Sequence, residues 1–144
     1  MNFKALCVAL LCACLFLVAP KALAQDLISH APDNAQAYIL EPSDGAVLPE
    51  TFTVKFGLSG MDLAPAGVDR DNTGHHHLLI DEPEFELNTS LPSTEQIRHF
   101  GKAQTETELT LTPGKHTLQL VLGNYAHVPH DKPVISEPIT ITVD

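Results

Sequence analysis

The chain has 144 residues, 44% of them hydrophobic and 18% charged, with 8 basic against 18 acidic side chains and a formal net charge of −10. That length suits one domain and leaves little room for a second. An acidic surface of this kind repels nucleic acid and anionic lipid headgroups and attracts cations, so a nucleic-acid partner is excluded, while acidity alone is read as solubility.

The first residues form a leader. Lys4 gives a positive start, Ala5 to Ala19 is almost wholly apolar, and Ala22-Leu23-Ala24 has the small-x-small pattern of a cleavage site. Residues 1–24 are therefore expected to be a secretory signal peptide, cut before Gln25. The apolar run is short for a retained anchor. Leu11-Cys12-Ala13-Cys14 loosely resembles a lipoprotein box, but apolar residues follow Cys14 where a polar tether belongs. The expectation is export to the periplasm, with no membrane attachment after cleavage. Cys7, Cys12 and Cys14 all fall in the leader. The mature chain then has no disulfide, no cysteine nucleophile and no thiolate ligand. Losing Lys4 and Lys21 leaves 6 basic against 18 acidic side chains, a net charge of −12.

Residues 25–36 lack periodicity and are expected as a flexible lead-in, with the folded domain spanning 37–144. Tyr38-Ile39-Leu40 starts it as a short strand, and Pro42-Ser43-Asp44-Gly45 is a turn by composition. Thr51 to Phe56 alternates, with Phe52, Val54 and Phe56 inward. Gly57 to Gly74 reads as a long loop containing Met61 and Asp69-Arg70-Asp71. It leads into Gly74-His75-His76-His77-Leu78-Leu79-Ile80-Asp81, a strand entered by three imidazoles. Glu82 to Pro92 is irregular and acidic. Ser93-Thr94-Glu95-Gln96 has the spacing of a capping box, which predicts one helical turn through Ile97 and His99, stopped by Gly101.

The last third alternates most clearly. Thr105 to Leu111 carries Leu109 and Leu111 on one face and Glu106 and Glu108 on the other. Pro113-Gly114 turns the chain into His116 to Leu122, the partner strand. Gly123 to His130 is a loop, and Ile139 to Val143 closes the domain with Ile139, Ile141 and Val143 inward. About seven short strands separated by Pro and Gly turns predict an all-β fold, a two-sheet antiparallel sandwich of immunoglobulin-like architecture. An up-and-down barrel fits the unequal loops less well.

Side chains alternate faces along a strand, so His75 and His77 point one way and His76 the other. Two residues apart on a strand, imidazoles converge on one ion readily. His127-Val128-Pro129-His130 adds a second pair in a loop that, in a sandwich, can reach the end of a distant strand. The candidate metal ligands are thus His75, His77, His127 and His130, a nitrogen set suited to Cu(II) or Zn(II). The bland reading of each is a histidine bonded to backbone or facing solvent. His116 leads a strand face carrying Leu118, Leu120 and Leu122 and reads as a core-edge histidine bonded to backbone. His99 fits either role, and His30, in the lead-in, fits neither.

Catalytic patterns are weak. No Gly-x-Ser-x-Gly elbow marks a nucleophile, the carboxylates Glu82, Glu84 and Glu86 lack the separated environments of a glycosidase pair, and the scattered glycines form no phosphate cradle. Oxidative copper enzymes that cleave polysaccharides use an N-terminal histidine, where Gln25 is expected here. Copper-zinc superoxide dismutases carry a His-x-His on a sandwich strand but typically a cysteine bridge as well. The two functional readings are a protein that binds a divalent metal and a non-enzymatic module that binds a protein or cell-envelope partner, with its histidines structural.

Four segments, Gly74-His75-His76-His77-Leu78-Leu79-Ile80-Asp81, His99-Phe100-Gly101-Lys102-Ala103-Gln104-Thr105-Glu106, Pro113-Gly114-Lys115-His116-Thr117-Leu118-Gln119-Leu120 and His127-Val128-Pro129-His130, resemble a bacterial family of exported domains of unknown function, of the DUF4399 type. The resemblance spans Ala37 to Val143. It implies an exported single-domain β protein, usually periplasmic in Gram-negative bacteria, and implies no activity.

Overall fold

The computed structural model describes residues 27–144; the expected signal peptide and all three cysteines lie outside the described residues. Nine strands make up the described chain: β1 (Gln36–Glu41), β2 (Val47–Leu48), β3 (Thr51–Ser59), β4 (Asp62–Leu63), β5 (Thr73–Ile80), β6 (Ile97–His99), β7 (Glu106–Thr110), β8 (Gly114–Gly123) and β9 (Ile139–Val143). One sheet has the order β1-β3-β7, and the other has the order β2-β9-β8-β5-β4, with β6 also paired to β5. In chain order these are the A-B-E and G-F-C strands of an immunoglobulin-like sandwich, with β6 in the added position beside C. The long pairings are antiparallel; the two-residue strands β2 and β4 run parallel to β9 and β5.

Alternation explains which face goes inward. Phe52, Val54 and Phe56 of β3 and Leu109 of β7 meet Leu78 and Ile80 of β5, Leu118, Leu120 and Leu122 of β8, and Ile141 of β9 in one buried core. Leu111 and Ile139, expected inward, are partly buried against its edge.

β5 departs from the one-face rule, because all eight of its residues are buried. Its inner face packs in the sandwich. Its outer face is roofed by the segment between β5 and β6 and by the β8–β9 loop, where Leu79, Leu91, Ile97 and Val121 form a second apolar cluster with Phe85 against it. Side chains on the solvent side of the sheet are thereby removed from water.

Three local expectations are corrected. The helical turn at Ile97 and His99 is strand β6, paired to β5 with His77 opposite His99 and Leu79 opposite Ile97. The capping-type bond exists, but Thr94 Oγ1 accepts the Ile97 N–H at 2.9 Å, and it starts a strand. Backbone pairing with β5 outweighs the local helix signal, as tertiary context commonly does. The long loop from Gly57 is shortened, because β3 continues to Ser59 and β4 follows. Residues 27–35 are also fastened to the domain: Ala31 is fully buried, its N–H reaches Asp131 Oδ1 at 3.0 Å, and the Asp131 N–H reaches the Ser29 carbonyl at 3.0 Å.

Candidate metal centre

The strand register sets the site. His75 and His77 project from the outer face of β5, and His99 comes from the neighbouring strand at the position directly opposite His77. The His77 and His99 rings stack at 27° to each other with centroids 5.1 Å apart, and His75 lies 4.8 Å from His77 and 4.9 Å from His99. His127 closes the group from the β8–β9 loop, 4.4 Å from His99 and 4.9 Å from His75 between centroids. One ring nitrogen from each of these four residues lies within 4.8 Å of every other.

Two glycines make room for the rings. A Cβ on Gly123, opposite His75 on β8, would stand 2.6 Å from His77 Cε1. A Cβ on Gly101 would stand 2.5 Å from His99 Nε2. Neither glycine has the positive φ that would explain it by backbone freedom. Close approach of the imidazoles explains both.

The backbone of His127 takes φ 64°, a left-handed conformation uncommon for a residue with a side chain, though less so for histidine. Such conformations persist where surroundings enforce them. Here the His127 N–H donates to the Asn124 carbonyl and the His127 carbonyl accepts from the Leu91 N–H, both at 2.9 Å. The ring is thereby aimed at His75, with Nδ1 3.1 Å from His75 Nε2.

The electrostatics favour the neutral form of His75, His77 and His99. Burial first, then the imidazoles of His127 and His99, holds His75 at about 3, far below the usual 6.5. Burial and the neighbours His75, His99 and His127 hold His77 at about 3 as well. His99 is lowered by burial and then by His127. Neutral imidazoles are the form that binds a metal.

The ring nitrogens also test the fit of an ion. A structural histidine in a buried site normally bonds both nitrogens. Here His75 Nδ1, both nitrogens of His77 and His99 Nε2 are buried with no hydrogen-bond partner among the described residues. Nitrogens bound at about 2.0–2.1 Å to one tetrahedral ion stand about 3.3 Å apart. The His75–His127 separation of 3.1 Å is near that value. The donor set could hold a metal ion.

Of the sequence-expected ligands, His75, His77 and His127 are brought together and His130 stands outside the group. His130 is buried, with Nε2 3.1 Å from the Thr73 carbonyl. His76 faces the opposite side as expected, buried in the sandwich core with its ring 5.3 Å from Phe56. His116 bonds the Thr112 carbonyl through Nε2 at 2.8 Å and the Asp81 carboxylate through Nδ1 at 3.0 Å. His30 pairs with Asp131 at 2.8 Å. His99 is the member that sequence reasoning left undecided. The signal that finds it is pairing: read as a strand, Ile97-Arg98-His99 puts Ile97 and His99 on one face, and Ile97 belongs with Leu79.

Fold and cluster together define a small all-β sandwich protein with a group of four buried or half-buried histidines that could hold a metal ion. The chain belongs to the family described as a domain of unknown function, DUF4399, which matches over residues 54–144 and so includes all four histidines. Among solved structures it is similar to the fibronectin(III)-like modules of Clostridium thermocellum CbhA, at 13% identity, with 75% of this chain and 93% of that one covered and a TM-score of 0.40. No curated protein matches. Among the described residues no helix is long and apolar enough to cross a membrane.

Proposed function

We propose that this protein binds a divalent transition metal, Cu(II) or Zn(II), through His75, His77, His99 and His127, and that it does so after export to the periplasm. The observation that carries the metal reading is the convergence of four imidazoles, one ring nitrogen from each lying within 4.8 Å of every other. His76, in the core, and His130 also leave buried ring nitrogens unbonded, so it is the convergence of the four rings rather than a missing bond that distinguishes the cluster. All four donors are nitrogens, and the sulfur that favours Cu(I) is confined outside the leader to Met61. Imidazole donors suit divalent ions, with Cu(II) bound more tightly than Zn(II) by the usual affinity order. The export reading rests on the leader pattern of residues 1–24.

Calorimetric titration with Cu(II) and Zn(II) tests the metal reading. Replacing His75 and His77 together by alanine should abolish tight binding, and His30→Ala should leave it intact. If the double variant binds as the parent does, or the parent binds only at millimolar metal, the histidines are structural and the partner-binding module is the better account. Intact-mass measurement on exported protein tests the leader: a chain starting at Gln25 is expected, and a diacylglyceryl mass on Cys14 would overturn it.

A further inference from the structure

Three of the four candidate ligands are held by strand pairing, since His75 and His77 lie on β5 and His99 on β6. His127 is held differently. It sits on a loop at φ 64°, and the side chain that braces that loop is Asn124, only 1% exposed. Asn124 Oδ1 accepts the N–H of Ala126 at 2.9 Å and of Val128 at 3.1 Å, the residues on either side of His127. The backbone of Asn124 closes the same turn, its carbonyl accepting from His127 and its N–H donating to the Val128 carbonyl, both at 2.9 Å.

The other half of the Asn124 amide faces away from the site. Nδ2 donates to the Leu27 carbonyl at 2.6 Å and to Ser29 Oγ at 3.0 Å. One side chain therefore joins the His127 turn to the segment that precedes β1. Asp131 ties that segment further along, accepting the Ala31 N–H, pairing with His30 and donating its own N–H to the Ser29 carbonyl, while Lys132 pairs with Asp33. An amide satisfied on both sides transmits strain on either side to the other, because a donor or acceptor left unpaired in a buried site is costly.

We infer, resting on the metal-binding reading above, that Asn124 is the positioning residue of the His127 ligand and that it couples metal affinity to the docking of residues 27–33. Partners that orient a ligating histidine are commonly worth about 10- to 100-fold in metal affinity. Coupling of this kind is reciprocal, so the metal should fasten the docked segment as much as that segment tightens the metal.

A double-variant cycle with Zn(II), read by competition with a chromophoric chelator, tests it. Asn124→Ala should weaken Zn(II) about 10- to 100-fold. His127→Asn, chosen because asparagine tolerates the left-handed backbone, should also weaken it. The combined variant should bind no more weakly than His127→Asn alone, because Asn124 acts through His127. A loss from Asn124→Ala that persists undiminished in the His127→Asn background, or an Asn124→Ala protein that binds as the parent does, overturns the assignment. Should Asn124→Ala fail to fold, Ser29→Ala removes one acceptor of Nδ2 and runs through the same cycle with a smaller expected loss. Amide hydrogen exchange in the parent reads the coupling directly. Zn(II) should slow exchange at Ala31 and Asp131, and unchanged rates would overturn the coupling. A parent that does not bind Zn(II) removes the metal reading itself and the inference with it.

Discussion

A buried imidazole nitrogen without a partner costs about 1–3 kcal/mol, and the cluster contains four of them. A bound ion would recover that cost at the cluster, where one nitrogen from each of four rings converges. His99→Ala should therefore cost far more metal affinity than His130→Ala, because His130 bonds the Thr73 carbonyl outside the group. Titration of both variants checks it, and equal losses would contradict the four-histidine set. The glycines make a sharper case. Gly101→Ala would place a methyl against His99, and Gly123→Ala would place one against His77, so each should displace a ring and weaken binding with the donor set unchanged. Retention of parental affinity by both alanine variants would show that the rings do not need that space. At this scale the sequence was partly legible. His75 and His77 follow from the two-residue period of a strand. His99 was hidden because Ser93 to Gln96 imitates a helix start, and the same local hydrogen bond serves equally well to enter a strand. His130 follows a proline in a loop, and no local rule says which of two loop histidines turns toward a distant strand.

Strand β5 unites the core and the site, and its histidines give it a pH signature. In the metal-free protein His75 and His77 sit at about 3 and His76 at about 4, each lowered chiefly by burial, against 6.5 for a free imidazole. The unfolded chain then binds more protons than the folded one between about pH 6.5 and 3, so stability is intact above that window and falls as pH drops through it. Denaturant midpoints at pH 7, 5 and 4 should decline in that order, and His76→Leu should flatten part of the decline. A flat profile would contradict burial of neutral histidines. On β8, His116 runs the opposite way. Burial disfavours its charged form, but the Thr112 carbonyl and the Asp81 carboxylate outweigh that and raise its pKa. Its contribution is fully present below about pH 6.5 and is lost as pH rises through the raised value. Asp81→Asn should remove it, making stability on the alkaline side of 6.5 less dependent on pH; unchanged dependence would mean that the pair contributes nothing. The Nε2 bond from His116 to a carbonyl four residues upstream lies at the start of the F-position strand. There it fills the place that a tyrosine hydroxyl takes in many immunoglobulin-like sandwiches.

For the whole molecule, the sandwich was legible because alternation and Pro-Gly turns mark antiparallel strands, and the inward residues of β3, β7, β8 and β9 largely agree with their pattern. Leu120 is fully buried between the sheets, so Leu120→Ala should cost about 2–5 kcal/mol. A nearly neutral change in the denaturation midpoint would contradict that packing. The roof over β5 was not legible, because it depends on an irregular segment folding back to bury Leu91 and Phe85 against Val121 and Leu79. That roof turns an exposed sheet face into a largely covered site, with four imidazoles close enough to share one ion. X-ray absorption fine structure at the zinc edge, on protein loaded with one equivalent of Zn(II), tests this most directly. A first shell of four imidazole nitrogens at about 2.0 Å is expected, and a shell dominated by oxygen, or protein that retains no stoichiometric zinc, would contradict the four-histidine site.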